Sequence, residues 1–171
     1  MKTAERLARV KYCVQCGTLF ERRFIYGAER PVCPQCGHIH FMDPKVAVAA
    51  VVEHDDRILL ILRKGNPEAG KWSLPAGFMD AGEDPRRAAE REAFEETGLQ
   101  VRATTLWDLF PRSEPTEGAD LLLAFRADVI GGTLRPGDDA ADARFFARDE
   151  VPASIAFSSA RAIVDRWRSA V

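Results

Sequence analysis

Gly77-Phe-Met-Asp-Ala-Gly-Glu83, seven further residues, and then Arg91-Glu92-Ala93-Phe94-Glu95-Glu96-Thr97-Gly98-Leu99 form the most informative segment of the chain. Asp84 stands at an N-cap position, Pro85 at the first helical position and Gly98 just past the last turn, so this region predicts a helix over residues 85–97. On that helix Glu92, Glu95 and Glu96 occupy i, i+3 and i+4, which places their carboxylates on one face. Like charges so placed cost about a few tenths of a kcal/mol per pair unless a cation neutralises them. A hard divalent cation such as Mg²⁺ suits three carboxylates, and it keeps water positions that phosphate oxygens can take. Ala88, one turn before Glu92, keeps the same face uncluttered. Taken alone, the helix reads equally well as a solvated charged face, with Arg91 paired to Glu95 and Arg87 to Glu83 or Glu90.

Working outward, Lys45–Glu53 and Arg57–Arg63 are Val-, Ile-, Leu- and Ala-rich runs flanking the polar turn His54-Asp55-Asp56, the pattern of a β-hairpin. A turn-rich loop over residues 64–71 leads to the short segment Trp72–Leu74 and then to Pro75-Ala76-Gly77. Beyond the helix, strands are expected over Val101–Leu109 and Asp120–Ile130, followed by a turn at Gly131-Gly132, a last strand over Arg144–Ala147 and a helix over Ser158–Ala170. Strands and helices interleaved in this way imply an α/β fold, a mixed sheet covered by helices on both faces.

The four cysteines all lie within the first 36 residues. Cys13-Val-Gln-Cys16 and Cys33-Pro-Gln-Cys36 form two C-x2-C knuckles, each followed by a glycine, and their spacing is that of a structural zinc site. Two disulfides are the alternative, but a two-residue C-x2-C pair suits metal better, and cytoplasmic thiols stay reduced. His38 and His40 read as packing or surface residues, since four thiolates already complete a tetrahedral set. The boundary of this small module is expected near Asp43 and Pro44, dividing the chain into residues 1–43 and 44–171.

A chain of 171 residues can bury one full core with a small appendage. With 46% hydrophobic and 29% charged residues it has the composition of a folded protein, and its longest apolar runs fall far short of the roughly 20 residues that span a bilayer. The first residues lack the apolar segment of a secretory signal, so the expected location is the cytoplasm. The net charge of −2 conceals an asymmetry: residues 1–42 carry seven Lys and Arg against three acids, a net +4, and the remainder carries a net −6. Among side chains that can hold a substrate, Arg63 and Lys64 end a strand just before a loop and are suited to phosphate, while Phe41, Phe78, Trp107 and Phe110 can stack on a base. Each of these also has an ordinary structural reading.

The stretch from Gly77 to Leu99 fills every fixed position of G-x5-E-x7-R-E-U-x-E-E-x-G-U and so resembles the Nudix box. The likeness extends to Asp43-Pro44-Lys45 and Gly70-Lys-Trp-Ser-Leu-Pro75, which are similar to the lead-in of zinc-ribbon Nudix hydrolases. It implies an α/β/α sandwich with a mixed sheet, preceded by a small zinc ribbon. It also implies that Glu92, Glu95 and Glu96, with the backbone carbonyl of Ala76, hold Mg²⁺ or Mn²⁺, and that Glu83 and Arg91 brace the loop against the helix. Ala93 is smaller than the bulky aliphatic usual at its position, and Ala76 stands where many relatives have glycine. The implied reaction is water attack on a diphosphate in a nucleotide derivative, with Glu92, Glu95, Glu114, Glu117, Asp138, Asp139 and Asp142 as candidates for the general base. The specificity stretch S-Q-P-W-P-F-P of NADH pyrophosphatases is missing, and Leu109-Phe-Pro-Arg-Ser-Glu-Pro115 stands instead. Pro115 lies 16 residues beyond Leu99, near the proline that marks ADP-ribose pyrophosphatases, and plant relatives with a similar ribbon accept FAD. The expected order of substrates is therefore ADP-ribose or FAD, then NADH. Two further readings stand beside this one: a regulator whose basic ribbon binds nucleic acid while the body senses a nucleotide, a partner less favoured because the box is intact, and a ribbon that mediates a homodimer.

Overall fold

The computed structural model describes residues 3–111 and 118–170, which divide into two compact units meeting in sequence at Pro44 and Lys45. The first unit opens with helix α1 (Thr3–Arg9) and contains a two-stranded antiparallel hairpin, β1 (Glu21–Ile25) and β2 (Ala28–Val32). Tyr26 and Gly27 form its turn with φ of 50° and 74°, the left-handed pair that matches the twist of a tight hairpin. Its core is small: Cys13, Phe20 and Cys33 are buried together, with Val10 against them.

The second unit is built on β3 (Val46–His54), which is buried along most of its length. It pairs in parallel with β8 (Leu121–Gly132) from Val46 to Val52, and β8 pairs antiparallel with β7 (Leu99–Pro111). On the other edge of β3, β6 (Ala76–Phe78) pairs with its first half and β4 (Arg57–Arg63) with its end. β4 in turn pairs with β5 (Trp72–Ser73) and with β9 (Ala140–Phe146). A strand flanked on both edges and both faces has no solvent side, which is why β3 is a continuous apolar run with no polar alternation.

Two helices cover the faces. Val48, Ala50 and Val52 of β3 join Ala88, Ala89 and Ala93 of α2 (Pro85–Thr97) in clusters with Phe125 and Ala127, whereas the alternate residues Ala49 and Val51 cluster with Ile163, Val164 and Trp167 of α3 (Ser158–Ser169). The period-two alternation of the strand therefore sends successive side chains to different helices. Small alanines on both sides let α2 lie close to the sheet, and that closeness fixes the position of its polar edge.

The ends of α2 match the sequence expectation. Asp84 accepts hydrogen bonds from the amides of Arg86 and Arg87, and Gly98 closes the helix at φ 69° with its amide on the carbonyl of Phe94. Ala76 and Gly77, which the sequence left unassigned, enter β6 to pair with Ala49 and Val48, filling an edge of β3 that would otherwise be bare. Two expectations need correction. Gly131 and Gly132 continue β8 opposite Gln100 and Leu99 instead of turning, and at Gly132 a Cβ would stand 2.4 Å from the carbonyl oxygen of Gly98. The last strand begins at Ala140, four residues before Arg144, because β4 offers partners as far as Arg63. No helix among the described residues is long and apolar enough to cross a membrane.

Candidate active site and thiolate cluster

The acidic edge of α2 faces the strand β6. Glu96 is buried, and its Oε2 accepts a hydrogen bond from the amide of Ala76 at 2.9 Å. Burial pushes its carboxyl up to about 9; a hydrogen bond that the protonated Glu96 donates to Asp139 and the nearby charges of Asp139 and Glu92 act in the same direction, opposed by the Ala76 amide. Glu92 is also buried and its carboxyl is raised, first by desolvation and then by the charges of Glu95 and Asp138, against the lowering pull of Arg91. A Cβ on Gly77 would stand 2.2 Å from the Glu92 carboxylate, so that carboxylate occupies space only a glycine leaves open. Glu95, one turn below Arg91, keeps about two-fifths of its side chain exposed.

Arg91 ties these parts together. Its Nε and Nη2 donate to the two oxygens of Glu83 at 2.9 and 3.0 Å, Nη2 donates to the carbonyl of Phe78 at 3.1 Å, and Nη1 donates to Glu92 at 2.7 Å and to Glu95 at 3.1 Å. The two-pronged contact locks the preceding loop to the helix. Arg91 and the amide of Asp80 hold the Glu83 carboxyl down at about 2. Arg87 pairs with Glu90, not with Glu83. The ion-pair reading of the helix and the metal reading thus share residues: Arg91 neutralises Glu92 and Glu95, but among the described residues no cationic side chain serves the buried Glu96.

The β8–β9 connection supplies more acid. The amides of Arg135 and Gly137 donate to the carbonyls of Thr97 and Glu96, closing the loop against the end of α2, and a Cβ on Gly137 would meet the carbonyl oxygen of Glu95 at 2.3 Å. This docking brings Asp139 to Glu96 and Asp138 within electrostatic reach of Glu92. Lys64 anchors the other side, its amide donating to the carbonyl of Asp139 and its Nζ to that of Asp138. Sequence reasoning named Asp138 and Asp139 only as two acids among several and missed Gly137 altogether. The run Pro136-Gly137-Asp138-Asp139 was the available turn signal.

The substrate candidates lie elsewhere or are already engaged. Arg63 donates through Nε to the carbonyl of Pro67 at 3.2 Å and lies over the ring of Phe157. Phe110 packs on the core cluster beneath α3. Phe78, at the end of β6 and half exposed, lies beside the box with Lys45 over its ring at 5.4 Å. Trp107 carries the guanidinium groups of Arg126 and Arg166, and Asp142 pairs with Arg144. Glu114, Glu117 and Pro115 lie outside the described residues.

In the first unit Cys13, Cys16, Cys33 and Cys36 are unpaired thiols whose sulfurs all lie within 4.8 Å of one another, with separations of 3.5–3.6 Å among the closest. Tetrahedral zinc with bonds of about 2.3 Å separates its sulfurs by roughly 3.8 Å, so the set fits that ion. The knuckles are alike: Gly17 and Gly37 adopt φ of 73° and 75°, their amides donating to the carbonyls of Cys13 and Cys33. The rings of His38 and His40 pack about Phe20.

The NUDIX domain family matches residues 43–167. An ADP-ribose pyrophosphatase of Methanocaldococcus jannaschii is 41% identical over 133 residues, 75% of this chain and 78% of that protein. A NAD-capped RNA hydrolase NudC of Chromobacterium violaceum is 34% identical over 143 residues, 80% of this chain and 52% of the relative, so the chain spans about half the length of that protein. A crystal structure of a NUDIX hydrolase from Nitrosomonas europaea superposes with a TM-score of 0.84 at 34% sequence identity, covering 92% of this chain and 90% of that one.

Proposed function

This chain belongs to the NUDIX family of hydrolases, and from that premise we propose that it cleaves the diphosphate linkage of a nucleoside diphosphate joined to a second moiety. ADP-ribose and FAD lead the order of substrates, with NADH third, and AMP is a product of each. The observation that carries this reading is the acidic edge of α2, where Glu92 and Glu96 are buried against β6 and no described cationic side chain partners Glu96. The 41% identical ADP-ribose pyrophosphatase supports the choice of substrate class.

Glu92, Glu95 and Glu96, with the carbonyl of Ala76, would hold Mg²⁺ or Mn²⁺. Their hard oxygen donors fit such an ion, which neutralises phosphate oxygens and activates the attacking water when bound. Arg91 and Glu83 keep the box loop fixed on the helix, so the carboxylates need little rearrangement on substrate binding. Asp138 and Asp139, which interact with Glu92 and Glu96, would take a proton from the attacking water. The half-exposed Phe78 would stack on a base. The four cysteines form a structural zinc ribbon, and the ribbon-bearing chain is a homodimer in this reading.

The test is a product-resolved screen. Purified protein with Mg²⁺ is incubated with ADP-ribose, FAD, NADH, dinucleoside polyphosphates and nucleoside triphosphates, and monophosphates are separated by chromatography. The expected result is AMP from the first three. A nucleoside triphosphate turned over with catalytic efficiency tenfold above each of them, about 1.4 kcal/mol of transition-state discrimination, refutes the substrate class.

A further inference from the structure

The hairpin β1–β2 of the first unit carries a surface of arginine and aromatic side chains. Arg23 and Arg30 are directly cross-strand partners, and residues so paired project from the same face of a two-stranded sheet. Like charges directly opposite each other destabilise a hairpin, so their placement calls for something that repays it. Among the described residues neither guanidinium meets a buried acid: Arg23 pairs with the half-exposed Glu21, and Arg30 lies 4.7 Å over the ring of Phe41 with its Nε lacking a hydrogen-bond partner there. Phe41 in turn stacks on Tyr26, with ring centroids 6.4 Å apart and planes 21° from parallel. Tyr26 is 72% exposed and Phe41 47% exposed, although burying either ring would have been favourable.

Arg30, Phe41 and Tyr26 in successive contact, with Arg23 paired across the strands to Arg30 and residues 1–42 carrying a net +4, match the chemistry of a flexible polyanion with unpaired bases. We propose that this face binds single-stranded nucleic acid, with bases stacking on Tyr26 and Phe41 and phosphates paired with Arg23 and Arg30. A duplex offers no free base faces to the rings. A second copy would set Arg23 and Arg30 against the same two arginines, whereas a nucleic-acid strand removes the repulsion between them. Stacking is tolerant of base identity, so the surface selects unpaired strands and not a sequence.

Phe24 provides an internal control. It lies between Arg23 and Ile25 and therefore projects from the opposite face, opposite Glu29, and it is 81% exposed. The experiment is fluorescence anisotropy of the full chain with a labelled single-stranded oligouridine of about twelve nucleotides, an oligothymidine and a duplex of equal length, in Mg²⁺-free buffer without chelator. The single strands are expected to bind and the duplex to bind at least tenfold more weakly. Tyr26→Ala and Phe41→Ala should each weaken single-strand binding tenfold or more, about 1.4 kcal/mol, while Phe24→Ala leaves it within twofold. Arg30→Gln should lower the slope of log affinity against log salt by about 0.7. Zinc content reports that the first unit of each variant is folded, and tryptophan fluorescence reports the same of the second unit. Equal loss with Phe24→Ala, binding to the duplex as tight as to the strand, or no binding together with self-association abolished by Tyr26→Ala, overturns the proposal. Because the readout needs no hydrolysis, Glu96→Gln should bind like the unsubstituted chain, and failure of the pyrophosphatase reading leaves the result unaffected.

Discussion

The amide of Ala76 donates to Oε2 of Glu96 at 2.9 Å, joining the short strand β6 to the buried edge of α2. That bond holds a carboxylate in a place where burial and Asp139 resist its charge. Removing the charge therefore has opposite effects on activity and on stability. Glu96→Gln should lower kcat/KM for ADP-ribose at least a hundredfold while making the metal-free protein more stable at pH 8, by about 1 kcal/mol or more. The Glu96 carboxyl is raised to about 9, so its contribution to folding is fully present below the unfolded value of 4.5 and is lost as pH climbs toward 9. Urea midpoints measured without Mg²⁺ from pH 5 to 9 should fall less steeply for the variant; parallel curves, or near-full activity at saturating Mg²⁺, contradict the assignment.

Glu83 gives the mirror image. Arg91 holds its carboxyl at about 2, so the stability it contributes is present above the unfolded value of 4.5 and disappears as pH falls toward 2. Glu83→Gln should flatten the acid limb of the stability profile between those values and leave the alkaline limb unchanged. It should also lower kcat, because the loop from Phe78 to Glu83 loses its two-pronged hold on Arg91. A variant whose acid limb matches that of the unsubstituted protein would show that the pair is not formed in solution.

Gly77 is open to a direct steric test. The added methyl of Gly77→Ala would fall within 2.3 Å of three atoms of the Glu92 carboxylate, so either the side chain or β6 must move. A loss of about 1–3 kcal/mol in stability and of at least tenfold in kcat/KM is expected. Activity within twofold of the unsubstituted protein would place the Glu92 carboxylate elsewhere.

The zinc assignment is checked by metal analysis. Purification without chelator should yield one zinc per chain, released when the four thiols are modified. All three tryptophans, Trp72, Trp107 and Trp167, lie in the second unit, so their fluorescence should barely change when the metal leaves. Zinc-free protein with a mass two disulfides lighter than the reduced chain would replace metal with cross-links.

Legibility in the sequence followed the range over which each feature is encoded. The ends of α2 were readable because Asp84, Pro85 and Gly98 act within a turn of themselves, and the C-x2-C knuckles for the same reason. β6 was hidden: a Pro-Ala-Gly run has no strand preference, and it becomes a strand only because β3 has an open edge. The approach of Asp139 to Glu96 was equally invisible, since it depends on a loop closing over the end of a helix some forty residues earlier. Arg63 illustrates the opposite error, a strand-end cation that suits phosphate by type but is drawn by Pro67 and Phe157 into holding its own loop. The glutamates were found without any knowledge of their burial, and burial is what separates Glu96 from an ordinary solvated carboxylate.

The pairing of β3 with β8 sets the order in which this protein can be made. Val46 meets Leu121, so the most apolar strand of the sheet leaves the ribosome roughly 75 residues before its parallel neighbour. At about 5–20 residues per second that interval lasts about 4–15 seconds, during which β4 can form the hairpin but the long edge of β3 stays bare. The nascent chain is therefore most open to chaperone capture, or to pairing with a neighbouring polypeptide, in the window between translation of residue 54 and of residue 127.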